Sequence, residues 1–295
     1  MRPARLIALL GLPSLALALA SVAAPAIVVT DFAGREVGLE SPASRIVALA
    51  PHAVENAFSA GAGSKLVGAV EFSDFPQAAR AIPRVGSAYA WSLESVIALQ
   101  PDLVLMWGSG NGNAGLAALE RMGLPVYISE PRTLGDVPRT LRDIGTLAGT
   151  SAQAEQRAAA FEQSLAQLGE RYRQRERVSV FYEVWHEPLQ TLGGQHMVSD
   201  VIRLCGGSNI FNDASGLAPR VSQEAVLGRD PEVIIGSGMN GERPEWLDAW
   251  RAFPSMQAVA KQALFFIHPD LLQRPTLRLL GGARQVCELL ESQRN

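Results

Sequence analysis

The chain of 295 residues has only two cysteines, Cys205 and Cys287, and none near its start, which leaves no thiol there for a lipid anchor. It has no excess of positive charge, with 26 Lys and Arg against 29 Asp and Glu and a net charge of −3. Nucleic-acid binding, which relies on a basic surface, is therefore not expected. Ala60-Gly61-Ala62-Gly63-Ser64-Lys65 faintly suggests a phosphate loop, but the Gly-Lys-Ser/Thr order is missing. There is no Gly-x-Ser-x-Gly elbow and no dinucleotide fingerprint. The four histidines, His52, His186, His196 and His268, stand far apart, without the His or Glu spacing of a metal centre. No cofactor and no catalytic residue is expected, and a hydrolytic cleft is the one enzymatic alternative that stays open.

What is present begins at the N-terminus. Arg2 and Arg5 precede an apolar run, Leu6 to Leu19, broken by Gly11, Pro13 and Ser14, and small residues follow from Ala20 to Ala24. This is the pattern of a secretory signal peptide, residues 1–23, cut after Ala23 or Ala24. An uncleaved anchor is disfavoured because the run is short and broken, and no later stretch has the apolar length to span a bilayer. Removing Arg2 and Arg5 with no acid leaves the mature chain at −5, which suits a freely diffusing protein of the periplasm.

The dominant internal feature is a pattern written twice. Ser92-Leu93-Glu94-Ser95-Val96-Ile97 leads to Pro101-Asp102-Leu103-Val104-Leu105, and Ser222-Gln223-Glu224-Ala225-Val226-Leu227 leads to Pro231-Glu232-Val233-Ile234-Ile235. The interval is too long for a solenoid repeat and right for a compact domain. Around each copy, short apolar runs alternate with helical patterns. Strands are predicted at 46–49, 66–70, 103–107 and 126–128, with helices at 51–60, 94–99 and 114–122. The second half follows with strands at 178–182, 233–235 and 264–267 and helices at 197–205 and 276–290. Such alternation implies βα units and mainly parallel sheets. The chain therefore reads as two similar α/β lobes, 24–149 and 176–295, with a ligand cleft between them.

Residues 150–175 join the lobes. Ala154, Ala158, Phe161, Leu165, Leu168 and Tyr172 form one apolar stripe of a single long helix, and Thr150 with Gln153 offers a capping box at its start. A helix belonging to one lobe, with a flexible linker nearby, is the alternative. Cys205 and Cys287, an even pair in apolar helical surroundings, read as a disulfide within the second lobe in preference to reactive or metal-binding thiols. Trp246 and Trp250, at helical spacing with Phe253, read as core.

Several segments taken together resemble the periplasmic binding proteins of cobalamin and iron-chelate ABC importers. They are Arg45-Ile46-Val47-Ala48-Leu49-Ala50-Pro51, Ser73-Asp74-Phe75-Pro76, Leu93-Glu94 with Pro101-Asp102-Leu103-Val104, and Cys205-Gly206-Gly207-Ser208-Asn209-Ile210-Phe211. The likeness covers nearly the whole mature chain, and the paired cysteines with Asp270-Leu271-Leu272-Gln273-Arg274 favour the cobalamin branch. It implies two α/β lobes on one long helix, and a protein that captures a cobalamin-like corrinoid without chemistry and hands it to an inner-membrane ABC permease dimer. A monomer when free is expected. A ferric-siderophore or haem receptor is the alternative, but such anionic cargo calls for more basic residues than Arg274, Arg220 and Arg132.

The resemblance also implies residue roles. Glu94 and Glu224 would meet basic patches of the permease dimer, although a Ser followed two residues later by Glu is also an ordinary helix start. Asp270 and Arg274 would face the ligand, with a purely structural Asp–Arg pair as the other reading. Phe75 matches an aromatic that packs on the ligand. Where the family carries Trp, this chain has Ala88 and Ala218, and Tyr89, Trp91 and Trp185 are near enough to replace those flat surfaces. Trp107 starts Trp107-Gly108-Ser109-Gly110-Asn111 at a strand end, where glycine would let a ligand approach the backbone. His52 and His268 follow strands, and axial ligation of a bound metal competes there with plain hydrogen bonding.

Overall fold

A computed structural model describes residues 27–238 and 241–294. The signal-peptide reading, residues 1–23, lies outside them. In chain order the elements are β1 (Ile27–Thr30), β2 (Glu36–Leu39), β3 (Ile46–Ala48), α1 (Pro51–Ser59), β4 (Leu66–Ala69), α2 (Leu93–Ala98), β5 (Leu103–Trp107), α3 (Gly108–Asn111), α4 (Asn113–Arg121), β6 (Val126–Ser129) and α5 (Asp136–Ala148). Then come α6 (Ser151–Tyr172), β7 (Val178–Trp185), β8 (Gln190–Thr191), α7 (Met197–Leu204), β9 (Gly207–Asn209), α8 (Gln223–Arg229), β10 (Val233–Gly236), α9 (Gln257–Ala260), β11 (Leu264–Phe266), α10 (Pro269–Leu272) and α11 (Leu279–Ser292).

The two lobes are built alike. In the first, the strands run β4-β3-β5-β6, all parallel. In the second, β9-β7-β10-β11 repeats that order, also parallel, and short β8 adds antiparallel to the upper end of β7. The central strands are apolar without alternation because both faces are covered: all three residues of β3 are buried, as are all four of β10. The hairpin β1–β2 was not foreseen from sequence. Its core face is carried by Val29, Val37 and Leu39.

The repeated pattern has a shared structural content. Ser92 Oγ accepts from the Ser95 amide at 3.1 Å, and Ser222 Oγ from the Ala225 amide at 3.2 Å. Both are N-caps of short helices. Val96 and Val226 are fully buried beneath those helices. The acid after each proline clips the start of its lobe's central strand: Asp102 accepts from the amides of Ser44 and Arg45, and Glu232 from that of Ser179.

The chain passes between lobes through α6, 22 residues and about 33 Å long at 1.5 Å per residue. Its stripe is buried at Ala154, Ala158, Phe161, Leu165 and Tyr172. Helix α5 packs along it so closely that a Cβ on Gly145 would come within 2.3 Å of the Ala154 Cβ. This helix does not belong to the first lobe alone. Ile144 and Leu147 join the first-lobe core, whereas Val137 and Leu141 join the second. The expected capping box is absent: Thr150 makes no side-chain cap bond, its hydroxyl is buried without a partner among the described residues, and Gln153 lies against Gly61 instead.

Cys205 and Cys287 are bonded and fully buried, tying α7 to α11 across 82 residues of chain. Closing a loop of that length constrains the unfolded chain by about 4 kcal/mol in the chain-entropy treatment. Trp250 is buried in the second-lobe core against Phe181 and Phe253, and its indole N–H donates to Glu183.

Candidate functional site

A cleft of about 610 Å³ lies between the lobes, within the range of small-molecule sites. The first lobe contributes residues that follow its strands: His52 after β3, Phe72 after β4, Tyr89, Trp107 at the end of β5, and Arg132 after β6. The second lobe contributes Leu192, Met197, Leu217 and the α10 segment from Pro269 to Pro275. These are loops at the carboxyl ends of parallel strands, where open α/β sheets place ligands.

Tyr89 is 77% exposed and its ring lies 6.0 Å from that of Trp107, so the two form one aromatic wall. Gly110 makes room for that wall, because a Cβ there would fall inside the Trp107 ring at 1.9 Å. Asn111 fixes the loop by accepting from the Trp107 amide and donating to the carbonyls of Leu49 and Ala88. Ala88 and Ala218 face each other's lobes as lining residues of the cleft.

Of the aromatic residues expected here, Tyr89 and Trp107 line this cleft and Phe75, 47% exposed, lines an adjoining cavity. Trp91 and Trp185 line neither. Trp91 packs on the first-lobe core with its ring against Gly115. The Trp185 indole N–H bonds the Glu187 carbonyl at 2.7 Å, which turns the ring along its own loop. His268 is occupied as the N-cap of α10, accepting from the Asp270 amide at 3.2 Å.

Asp270 and Arg274 both line the cleft and pair with each other at 2.9 Å. The residue that sequence reasoning missed is behind them. Glu55, on α1 of the first lobe and 2% exposed, accepts from Arg274 at 2.9 Å and Arg278 at 3.3 Å through Oε1. Asn56 adds a bond across the lobes, donating to the Pro275 carbonyl at 3.0 Å. Burial pushes the Glu55 carboxyl up while the two guanidiniums draw it back down. The available signal was a carboxylate beside an amide in a turn otherwise made of alanine and valine, Ala53-Val54-Glu55-Asn56-Ala57, and a carboxylate needs a partner to be buried.

His52, 6% exposed, stands edge-on to Trp107. Burial, with the Arg274 charge beside it, lowers its pKa to about 4, so the ring is neutral at pH 7. Its unfolded value is near 6.5, so on acidification the unfolded chain binds the proton first. Stability is therefore lost as pH falls from 6.5 toward 4. In thermal or urea unfolding of the ligand-free protein, His52→Gln should remove about 2 kcal/mol of the loss between pH 7 and pH 5. Equal pH slopes for the two proteins would contradict this assignment.

Glu94 and Glu224 are exposed, each two residues after its N-cap serine. Its own backbone N–H, with the Ser222 hydroxyl, holds the Glu224 carboxyl below its usual value.

Comparison with known proteins agrees with this geometry. Residues 46–271 match the family model described as periplasmic binding protein. The chain is 36% identical over 257 residues to the vitamin B12-binding protein of Vibrio campbellii, covering 86% of this chain and 91% of that one. It is 33% identical over 250 residues to that of Yersinia pestis, covering 85% and 87%. The crystal structure of the periplasmic vitamin B12 binding protein of Vibrio cholerae superposes with a TM-score of 0.78 at 35% identity, covering 86% of this chain and 99% of that one. A periplasmic heme-binding protein from Roseiflexus shares the fold, with a TM-score of 0.76 at 20% identity. The match over residues 46–271 and the 36% identical relative show that the chain belongs to the periplasmic binding protein family.

Proposed function

We propose that the protein captures cobalamin or a related corrinoid in the interlobe cleft and delivers it, unchanged, to the permease of an ABC importer in the inner membrane. The observation that carries this reading is the pairing of a flat aromatic wall, Tyr89 and Trp107, with the Asp270–Arg274 pair on the opposite lobe. A corrin ring is flat and apolar on its faces and carries amides round its edge. Aromatic rings suit the first property, and carboxylate and guanidinium groups suit the second. The vitamin B12-binding relatives from Vibrio and Yersinia support the same cargo. In this reading residues 1–23 direct export and are removed, and the free protein is a monomer of two lobes.

Calorimetric titration with cyanocobalamin, haemin and a ferric hydroxamate siderophore tests it. Saturable one-to-one binding of cyanocobalamin, with the cobalamin spectrum recovered intact on release, is the expected outcome. Silence with cyanocobalamin together with a tight haemin isotherm would overturn the choice of cargo.

A further inference from the structure

The cleft does not end at Arg274. A second cavity of about 470 Å³ adjoins it and shares Phe72, Pro269, Asp270 and Arg274 as common walls. Beyond those walls the lining changes, to Asp74, Phe75, Arg80, Gly241, His268 and Arg278. The main cleft combines aromatic and aliphatic sides with Glu71, Glu130 and Arg132, whereas this smaller alcove gathers three guanidinium groups, Arg80, Arg274 and Arg278.

Two of the three are fixed. Arg274 and Arg278 are each held by Glu55 and by Asp270, at 2.9 to 3.4 Å, and the Arg278 guanidinium carbon stands over the Phe75 ring, 4.5 Å from its centre. Both protein partners of the Arg278 side chain engage its Nη1. Its Nε–H and Nη2 donors have no hydrogen bond among the described residues. Arg80 is exposed and makes no ion pair among the described residues. The acids of the alcove are already matched, Asp270 by Arg274 and Arg278, and Asp74 by Arg84 at 3.6 Å.

An anchored guanidinium with spare donors, next to an unpaired one, fits the forked oxygens of a phosphate. A corrin ring carries no such group, but the nucleotide tail of cobalamin does, as a singly charged phosphodiester. We infer that the second cavity is a subsite for a phosphodiester-bearing arm of the ligand, through which Arg80 and Arg278 read the tail while the main cleft reads the ring. This rests on the corrinoid reading given above.

Titration of cyanocobalamin against dicyanocobinamide, which keeps the ring and lacks the nucleotide tail, tests the subsite. The wild type should bind cyanocobalamin about tenfold more tightly, the size expected of a charge-assisted hydrogen bond. Arg80→Gln, which lies outside the Glu55 network, should cut cyanocobalamin affinity about five- to tenfold and shift dicyanocobinamide by less than about twofold. Equal wild-type affinities overturn the subsite, and so does a parallel fall for both corrinoids in Arg80→Gln. Failure to bind either corrinoid overturns the corrinoid reading and the subsite with it.

Discussion

Arg274→Ala is expected to weaken cobalamin binding about 100-fold and to lower the stability of the ligand-free protein by about 3 kcal/mol. The two effects have different origins. Arg274 reaches the ligand cleft from the second lobe and is at the same time the nearer cation to Glu55 of the first. Removing it leaves a carboxylate that is 2% exposed with Arg278, at 3.3 Å, as its one remaining cationic partner among the described residues. A buried charge that loses its counter-ion is costly, whereas removal of both members of a buried pair is often nearly neutral. Arg274→Ala combined with Glu55→Leu should therefore recover most of the stability and none of the affinity. Chemical denaturation and calorimetry of the wild type, Arg274→Ala, Glu55→Leu and the double variant separate the terms. If the double variant regains affinity as well, Arg274 acts on the ligand only by holding the lobes in place.

The second large effect is on delivery. Glu94→Ala with Glu224→Ala should abolish ligand-stimulated transport by the reconstituted permease, while cobalamin affinity stays within about twofold. Both carboxylates are exposed, outside the cleft, and at equivalent positions of the repeated helices. A local role is too small to account for such a loss. An acid in the first turn of a helix contributes about 0.3–1 kcal/mol, screened by salt, and the N-cap serines remain in place. Exposed charges on two matched lobes are instead suited to steering and orienting a two-fold partner, with a strong dependence on ionic strength. Each single variant should fall between wild type and double, and raising the salt should weaken wild-type stimulation. Unimpaired transport in the double variant would remove the docking role. A collapse of ligand affinity would show that the two residues support the cleft.

Much of the architecture was legible because it is locally encoded and written twice. Ser-x-Glu-x-Val specifies a cap and one buried contact within a single turn, and the following Pro-acid and apolar run specify a strand and its clip. Neither depends on anything distant. The long helix was legible for the same reason, since one stripe of small and apolar residues recurs at its own period. The two cysteines could be paired because there was no third.

The sequence by itself determined the twin parallel-sheet lobes, the helical crossing, the disulfide and the residues at strand ends from which a cleft is made. Only the tertiary structure decided which of those residues face it. Trp91 and Trp185 look as available as Tyr89 and Trp107, but a ring's direction is set by what packs beneath it, Gly115 for Trp91 and Gly110 for Trp107. The Thr150 cap failed because its hydroxyl is turned inward. Glu55 meets Arg274 across 219 residues of chain, and no local pattern marks a partner that distant. Periodicity and capping report on neighbours along the chain, whereas the ion network that closes this site exists only once two separately folded lobes are brought face to face.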